Sequence, residues 1–450
     1  MEWVVNLKQK IKNKSIIVGV VGMGYVGLPL AVTFCKKFKV IGYDTNGKNI
    51  EFLNKGKSYI KDVNVKEINT TNFFPTNDFR DLKDCNFIII TVPTPLKEDK
   101  TPDLSYVRDA AKTVGELLKK GQFVILESTT YPGTTEEILI PILEEKSGLK
   151  VIKDFGVGYS PERIDPGNRK YKIENTPKVV GSLTPEFTEV IKMLYRSIID
   201  EVITVKDCKT AEAVKMVENV FRNVNIALAN ELALIFERME INIWEVIDAA
   251  KTKPYGFMPF YPGPGVGGHC IPLDPYYISY RAKQFGIIPR FIETAGEIND
   301  FMPIHIVNLA EKGLKKINKQ IRNSKTAILG LAYKPDINDT RESPAIRITE
   351  ELIERNAEIK VYDSHVKYIK TNSGDFYSEE NIEEILKWAE CIIFVTAHTL
   401  FRENLKKYLE IVNNKCEETV IIDGVNIIDN SDNNILGRVL CFKLGTSSLF

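Results

Sequence analysis

The sequence predicts an α/β fold in which two doubly wound domains are joined by a long central helix and a helical segment. Three observations carry that expectation. An apolar strand, a glycine turn, a helix and a second apolar strand follow one another from Ser15 to Asp44. A helical pattern then runs about 30 residues, from Lys209 to Arg238, and the alternation of strand and helix restarts at Lys325. A chain of 450 residues is too long for one core, and the expected divisions are 1–205, 206–312 and 313–450.

The first element reads SIIVGVVGMGYVGLPLAVTFCKKFKVIGYD. Gly22, Gly24 and Gly27, with Tyr25 and Val26 among them, form G-x-G-x-x-G between strand and helix, and Asp44 ends the second strand. The first glycine permits the turn, the second lets the backbone approach a pyrophosphate, and the third lets the helix pack closely on the strand. This is a Rossmann-like dinucleotide site. Asp44 can accept hydrogen bonds from ribose hydroxyls and repels a 2′-phosphate, which selects NAD over NADP.

Apolar strands at Asn86–Val92 and Gln122–Glu127 open onto TVPTP and ESTTYPGTT. Loops at the carboxyl ends of parallel strands face the ligand, which puts Thr94 and Thr130 at the cofactor; ordinary turn and cap chemistry is the alternative. Glu162, in VGYSPERIDPGN, is either a surface carboxylate or a base held by a proline-shaped turn.

Along the central helix, Lys215, Asn219, Asn223 and Asn230 share roughly one quarter of the circumference, and Val217, Val220, Phe221, Val224 and Leu228 lie elsewhere. The stripe is a solvated face or a strip that meets a ligand or another helix. Next comes YPGPGVGGHCIPLDPYY, from Tyr261 to Tyr277, with Cys270 at the end of a glycine-rich loop. Gly263, Gly265, Gly267 and Gly268 let the backbone bend and a substrate come close to the sulfur. That geometry suits a nucleophile. Asp274 could orient a water or act as a base beside it, whereas the bland alternative is a surface loop with an incidental thiol.

A second helical stretch is expected near Pro303–Lys315, followed by KTAILGLAYKP, a helix from about Ser343, then EIKVYD, CIIFVTA and TVIIDGV. This is a second α/β domain without G-x-G-x-x-G, so its first turn should bind something other than a dinucleotide. Tyr333, Lys334 and Arg341 offer stacking and cationic groups there, or are solvated surface.

Composition narrows the function. Lys+Arg and Asp+Glu both number 60, so no net field draws nucleic acid or a membrane surface. The seven cysteines are scattered without a C-x-x-C pair, and Cys35, Cys85 and Cys391 lie in or beside apolar segments, as in a reducing cytoplasm. No apolar run reaches the ~18 residues of a membrane helix, and MEWVVNLKQKIKNK lacks the apolar core of a signal peptide. The expectation is a soluble, cytoplasmic protein acting on small molecules. Four histidines without paired ligand spacing argue against zinc, and no metal is expected.

Taken together, GMGYVG with Asp44, TVPTP, STTYPG, SPER, the Lys215 and Asn219 helix, GPGVGGHCIPLDP and GLAYKPDINDTRESPA resemble, in this order and over nearly the whole chain, the UDP-glucose/GDP-mannose dehydrogenase family. The resemblance implies an N-terminal NAD domain, a central helical dimerisation segment, a C-terminal UDP-binding domain and a homodimer or higher homo-oligomer. It implies a two-step, NAD-dependent oxidation of a UDP-sugar's C6 alcohol to the carboxylate. By motif, Cys270 resembles the nucleophile, Lys215 and Asn219 the groups polarising the reacting oxygen, and Asp274 the partner of the catalytic water. Glu162 and Thr130 match the other catalytic-loop positions. Arg341 would contact the cofactor, and Arg163, Tyr261, Gly265, Gly267, Tyr333 and Lys334 would contact the nucleotide sugar.

Two departures bear on the sugar. Leu273 stands where UDP-glucose dehydrogenases carry a lysine, and Pro166 where they carry a second glutamate. GGHCIPLDPYY and SPERIDPGN look like the branch acting on UDP-N-acetylhexosamines, with N-acetylglucosamine ahead of N-acetylmannosamine and glucose. Rival readings are a β-hydroxyacid dehydrogenase, a sugar epimerase, or a non-catalytic NAD or nucleotide-sugar sensor. NADH yield per sugar separates them.

Overall fold

The computed structural model describes the chain apart from residues 61–62, 64–70, 166, 169, 269–270, 430–436 and 447–450. It divides into two compact units, Met1–Glu218 with Tyr276–Ile288, and Asn219–Pro275 with Pro289–Phe450.

In the first unit eight strands form one sheet: β1 (Ile17–Val21), β2 (Lys39–Tyr43), β3 (Phe73–Thr76), β4 (Phe87–Ile90), β5 (Phe123–Leu126), β6 (Gly156–Tyr159), β7 (Lys178–Ser182) and β8 (Val202–Thr204). Their order is β3-β2-β1-β4-β5-β6-β7-β8, parallel except between β6 and β7. The central strands read as unbroken apolar runs because both faces are covered. Phe87, Ile89, Phe123 and Ile125 meet Phe34 and Phe187 on one side, whereas Ile88, Ile90, Val124 and Leu126 meet Val107 and Leu143 on the other. The strand order reverses between β1 and β4, which opens the ligand crevice at their carboxyl ends. An unforeseen helix, Glu2–Lys12, buries Val4, Leu7 and Ile11 at helical spacing and sets Trp3 5.4 Å from Phe187.

The second unit holds β9 (Lys325–Leu329), β10 (Glu358–Tyr362), β11 (Tyr368–Thr371), β12 (Gly374–Tyr377), β13 (Cys391–Phe394), β14 (Thr419–Asp423) and β15 (Val439–Lys443). Five of them make a parallel sheet in the order β10-β9-β13-β14-β15, and β11 and β12 form an antiparallel hairpin. Along β13, Cys391 and Ile393 face one core, and Ile392 and Phe394 the other. Ser343 caps the helix Pro344–Glu354 through its Oγ, as the RESPA pattern suggests.

One expectation needs correction. The helix placed near Pro303 begins at Arg290 and runs to Lys316, with Pro303 inside it. A proline normally ends a helix, and the buried residues of the preceding turns, Ala295, Gly296 and Asn299, are too small or too polar to display an apolar period. The central helix itself spans Cys208–Arg238, close to the expected limits.

Candidate functional site

In the first unit the glycine turn follows β1 directly. Gly22 adopts φ +95°, and its N–H donates to Tyr43 O at 2.8 Å, joining the ends of β1 and β2. A Cβ on Gly27 would lie 1.8 Å from Gly22 O and 2.4 Å from Thr91 Oγ1, so only glycine lets the helix Gly27–Cys35 start there. A Cβ on Gly24 would meet nothing within 4 Å. That open side lies one turn ahead of a helix N-terminus, beside half-buried Tyr25 and Val26, where an anion is favoured. Asp44 is held by two main-chain donors, Met23 N–H to Oδ2 at 2.7 Å and Asn46 N–H to Oδ1 at 2.8 Å. Each oxygen keeps a further lone pair, and the half-buried carboxylate is reachable by a diol.

The loops after β4 and β5 are less open. Thr94 is buried, and its carbonyl accepts the Tyr277 hydroxyl at 2.8 Å. Thr130, also buried, donates to Tyr131 O at 3.1 Å. Glu212, which sequence reasoning missed, grips this loop: its carboxylate accepts Gly133 N–H at 2.6 Å, Thr135 N–H at 2.8 Å and the Thr135 hydroxyl at 2.6 Å. Burial outweighs those bonds and pushes its pKa up to about 7.

Glu162 and Lys215 form a buried pair, with Lys215 Nζ 2.5 Å from Oε1 and 3.0 Å from the main-chain oxygen of Glu162. Ile164 N–H donates to Oε2 at 2.9 Å. Burial alone would raise the Glu162 pKa, but the charge and hydrogen bond of Lys215, with the Ile164 amide and Lys178, hold it below the usual carboxylate value. Behind this pair, Lys178 reaches Glu127 at 2.8 Å and Pro161 O at 3.4 Å. The Arg163 guanidinium donates to Pro177 O at 2.6 Å and pairs with Glu218, while its Nε is buried without a partner among the described residues.

The second unit holds the loop that carries Cys270; Cys270 and His269 themselves lie outside the described residues. The polar stripe of the central helix turns inward onto this loop. Asn219 Nδ2 bonds Asp274, Asn223 Nδ2 donates to Ile271 O at 3.2 Å, and Asn230 Oδ1 accepts Gly263 N–H at 2.9 Å. All three asparagines are buried, whereas Phe221 and Leu228 are exposed, so the stripe is not the solvated face. Asp274, buried, opens the helix Asp274–Gln284, where a carboxylate faces the positive end of the dipole.

At its other end the loop lies on the C-terminal sheet's connections. Gly268 N–H donates to Arg341 O at 2.9 Å, and a Cβ on Gly267 would stand 2.6 Å from Tyr333 Cβ. Gly265, at φ +140°, sits against Pro303 and Pro344. Tyr261 stacks on Trp244 at 5.6 Å and donates to Asp248 at 2.8 Å. Tyr333, Arg341 and the glycines are thus brought together, with Lys334 half-buried beside Tyr333. The Arg341 guanidinium folds back on Asp339, at 2.6 to 3.1 Å.

Asp336, His365 and His398 also converge, with potential ligand atoms within 4.8 Å of one another. His398 Nδ1 already accepts Asp336 N–H at 2.9 Å, and its Nε2 lies 2.9 Å from Asp363 Oδ2. Both His398 ring nitrogens are therefore spent, which leaves His398 no lone pair for a cation. Among the described residues no helix is long and apolar enough to cross a membrane.

A doubly wound domain with an open glycine turn and a half-buried carboxylate at the end of its second strand, followed by a helical segment and a second parallel sheet, is the architecture of a dinucleotide-binding enzyme with a further α/β domain. Three family models match the chain in succession: the NAD binding domain of the UDP-glucose/GDP-mannose dehydrogenase family over residues 16–199, the central domain over 209–301 and the UDP binding domain over 327–430. The chain belongs to that family. It is 40% identical over 404 residues to a UDP-N-acetyl-D-glucosamine 6-dehydrogenase from Pseudomonas aeruginosa, covering 88% of this chain and 94% of the relative. A UDP-N-acetyl-D-mannosamine dehydrogenase from Pyrococcus horikoshii is 37% identical, covering 91% and 96%. The solved structure of a UDP-D-ManNAc dehydrogenase from that organism superposes with a TM-score of 0.87 at 33% identity, covering 96% of this chain and all of the other. The protein is an NAD-dependent nucleotide-sugar 6-dehydrogenase, and the open Gly24 turn and two-sided Asp44 fit the cofactor.

Proposed function

We propose that the chain oxidises the C6 alcohol of a UDP-N-acetylhexosamine, UDP-N-acetylglucosamine foremost, to the uronic acid through covalent intermediates on Cys270. The observation that carries this reading is the polar stripe of the central helix. Lys215 and Asn219 stand one turn apart, and Asn219 is bonded to Asp274, four residues beyond the cysteine. NAD, which the Gly22–Gly27 turn and Asp44 would hold, would supply the hydride acceptor, with one NAD consumed at each of the two oxidations. The Cys270 thiolate adds to the aldehyde to give a thiohemiacetal, whose oxidation leaves a thioester. Water attacks that carbonyl, Asp274 orients it, and the thiolate departs as the carboxylate forms. Lys215, paired with Glu162, and Asn219 stabilise the oxyanion in both covalent stages.

In the same reading, residues 1–205 hold NAD, 206–312 supply the nucleophile loop and the subunit contact, and 313–450 hold the UDP moiety. A homodimer is favoured by the row Phe221, Leu228 and Ile235, spaced by sevens and 46%, 51% and 44% exposed. N-acetylated sugars are favoured by Leu273 and Pro166, which remove a cation and a carboxylate present in UDP-glucose enzymes; Pro166 lies outside the described residues. An N-acetyl amide gives a site one more group to hydrogen-bond, and a sugar lacking it leaves buried partners unpaired. The gluco form is placed ahead of the manno form by the IPLDPYY loop.

The test is steady-state NADH formation with UDP-N-acetylglucosamine, UDP-N-acetylmannosamine and UDP-glucose. Two NADH per sugar and the highest kcat/KM on the first are expected. A higher kcat/KM for UDP-glucose than for both acetylated sugars overturns the sugar assignment, and one NADH per sugar overturns the covalent route.

A further inference from the structure

Three buried asparagines on one stripe of the central helix hold the nucleophile loop at separate points, and only Asn219 has a part in the chemistry described above. Asn223 is 2% exposed and donates through Nδ2 to the carbonyl of Ile271, the residue that follows Cys270. Its Oδ1 is buried and has no hydrogen-bond partner among the described residues. The orientation is fixed nonetheless, since a flipped amide would set oxygen against the Ile271 oxygen. Asn230 accepts Gly263 N–H at 2.9 Å and donates to Asn299 Oδ1 at 2.9 Å. Asn299 in turn donates to Asn223 O at 3.2 Å, which closes the network onto the helix backbone.

One satisfied donor and one orphaned acceptor nearly offset each other in stability. What the Asn223 side chain does supply is a fixed carbonyl one residue from the sulfur. We propose that Asn223 and Asn230 are positioning residues for the Cys270 loop: Asn223 sets the backbone that follows the nucleophile, and Asn230 anchors the start of the loop. A nucleophile displaced by an ångström loses much of its advantage in attacking an aldehyde, and an aldehyde not trapped can leave. The inference rests on the Cys270 reading.

The experiment compares Asn223→Ala, Asn223→Asp and Asn230→Ala with the parent enzyme and with Cys270→Ser, using UDP-N-acetylglucosamine and NAD with semicarbazide present to capture released aldehyde. Asn223→Ala is expected to lower kcat at least about tenfold, with KM for both substrates within twofold and captured aldehyde increased. Asn230→Ala should act the same way and more weakly. In Asn223→Asp the ionised carboxylate repels the Ile271 carbonyl, but its protonated form can donate to it. The ratio of that variant's kcat to the parent's should therefore rise as pH falls, which a merely structural defect would not produce. Asn223→Ala with kcat within twofold of the parent and no captured aldehyde overturns the proposal. If Asn223→Ala does not fold, a pH-independent ratio for Asn223→Asp overturns it instead. Full-rate acid formation by Cys270→Ser would instead overturn the covalent reading, so the two failures are distinct.

Discussion

Lys215 Nζ binds Glu162 twice, at the carboxylate Oε1 and at the main-chain oxygen, so one side chain fixes both the charge and the backbone of the SPER loop. Both side chains are buried. Removing one partner of such a pair leaves the other charge uncompensated, so Lys215→Ala should destabilise the first unit by about 3–5 kcal/mol and abolish turnover. Glu162 has a folded pKa below its ordinary 4.5. Its contribution to stability is therefore complete above that value and is lost as pH falls through the lower folded one. Acid unfolding followed by circular dichroism should show this loss in the parent and not in Glu162→Gln.

Glu212 titrates with the opposite sign. Its pKa rises from 4.5 to about 7 on folding, so the folded state favours the neutral acid. The stability this confers is present below pH 4.5 and is lost as pH climbs towards 7. Melting temperatures of the parent and Glu212→Gln between pH 5 and 8 should show a shallower decline in the variant, which cannot ionise. The variant should also melt lower throughout, because its amide N–H₂ meets the Gly133 N–H where a carboxylate oxygen stood.

The parts of this architecture legible in the sequence are those where local chemistry and tertiary role coincide. Gly22 and Gly27 announce a turn that only glycine can make, with open Gly24 and Asp44 beside it, and the runs at β4 and β5 announce strands covered on both faces. What stayed hidden depends on partners distant in sequence. Glu212 reads as one more helix charge until Gly133 and Thr135 close on it, 77 to 79 positions away. Asn223 reads as part of a solvated face or of a strip facing a ligand or helix, and its actual partner, the loop at Ile271, lies 48 positions away. The half of the helix ahead of Pro303 was hidden because its buried residues, Ala295, Gly296 and Asn299, are small or polar, and the short hairpin Tyr368–Tyr377 because it shows little apolar alternation.

The two sheets share a turn and use it differently. After β9, Gly330 has φ +94° and donates to Tyr362 O at 2.9 Å, as Gly22 does to Tyr43 O after β1. Asp363 then takes the station of Asp44, accepting Leu331 N–H at 2.6 Å and His365 N–H at 2.7 Å. It also accepts from Ala332, Val366 and His398, and is buried, so nothing is left for a ribose. Asp44→Ala should raise KM for NAD and narrow the preference over NADP with a small change in melting temperature. Asp363→Ala should leave KM for NAD unchanged and cost on the order of 3 kcal/mol, because several buried donors lose their acceptor. Unchanged NAD/NADP discrimination in Asp44→Ala would remove Asp44 as the ribose ligand.

Gly24 and Gly27 separate binding from folding within one motif. A methyl group on Gly27 would lie 1.8 Å from Gly22 O, a backbone atom held in the turn, so the helix Gly27–Cys35 would have to move off β1. Overpacking of this kind costs about 3 kcal/mol, and Gly27→Ala should melt several degrees lower as well as lose NAD. On Gly24 the same methyl meets no protein atom within 4 Å and imposes no positive φ, so the fold has no reason to change. The space it fills is the approach to the helix N-terminus, where the proposed NAD site sets the pyrophosphate against the backbone. Gly24→Ala should therefore keep the parent's melting temperature without cofactor, raise KM for NAD at least about tenfold and lose most of the stabilisation that added NAD gives. Thermal melts of both variants with and without NAD decide the matter: equal NAD-induced shifts in Gly24→Ala and the parent would mean that the pyrophosphate does not lie on this turn.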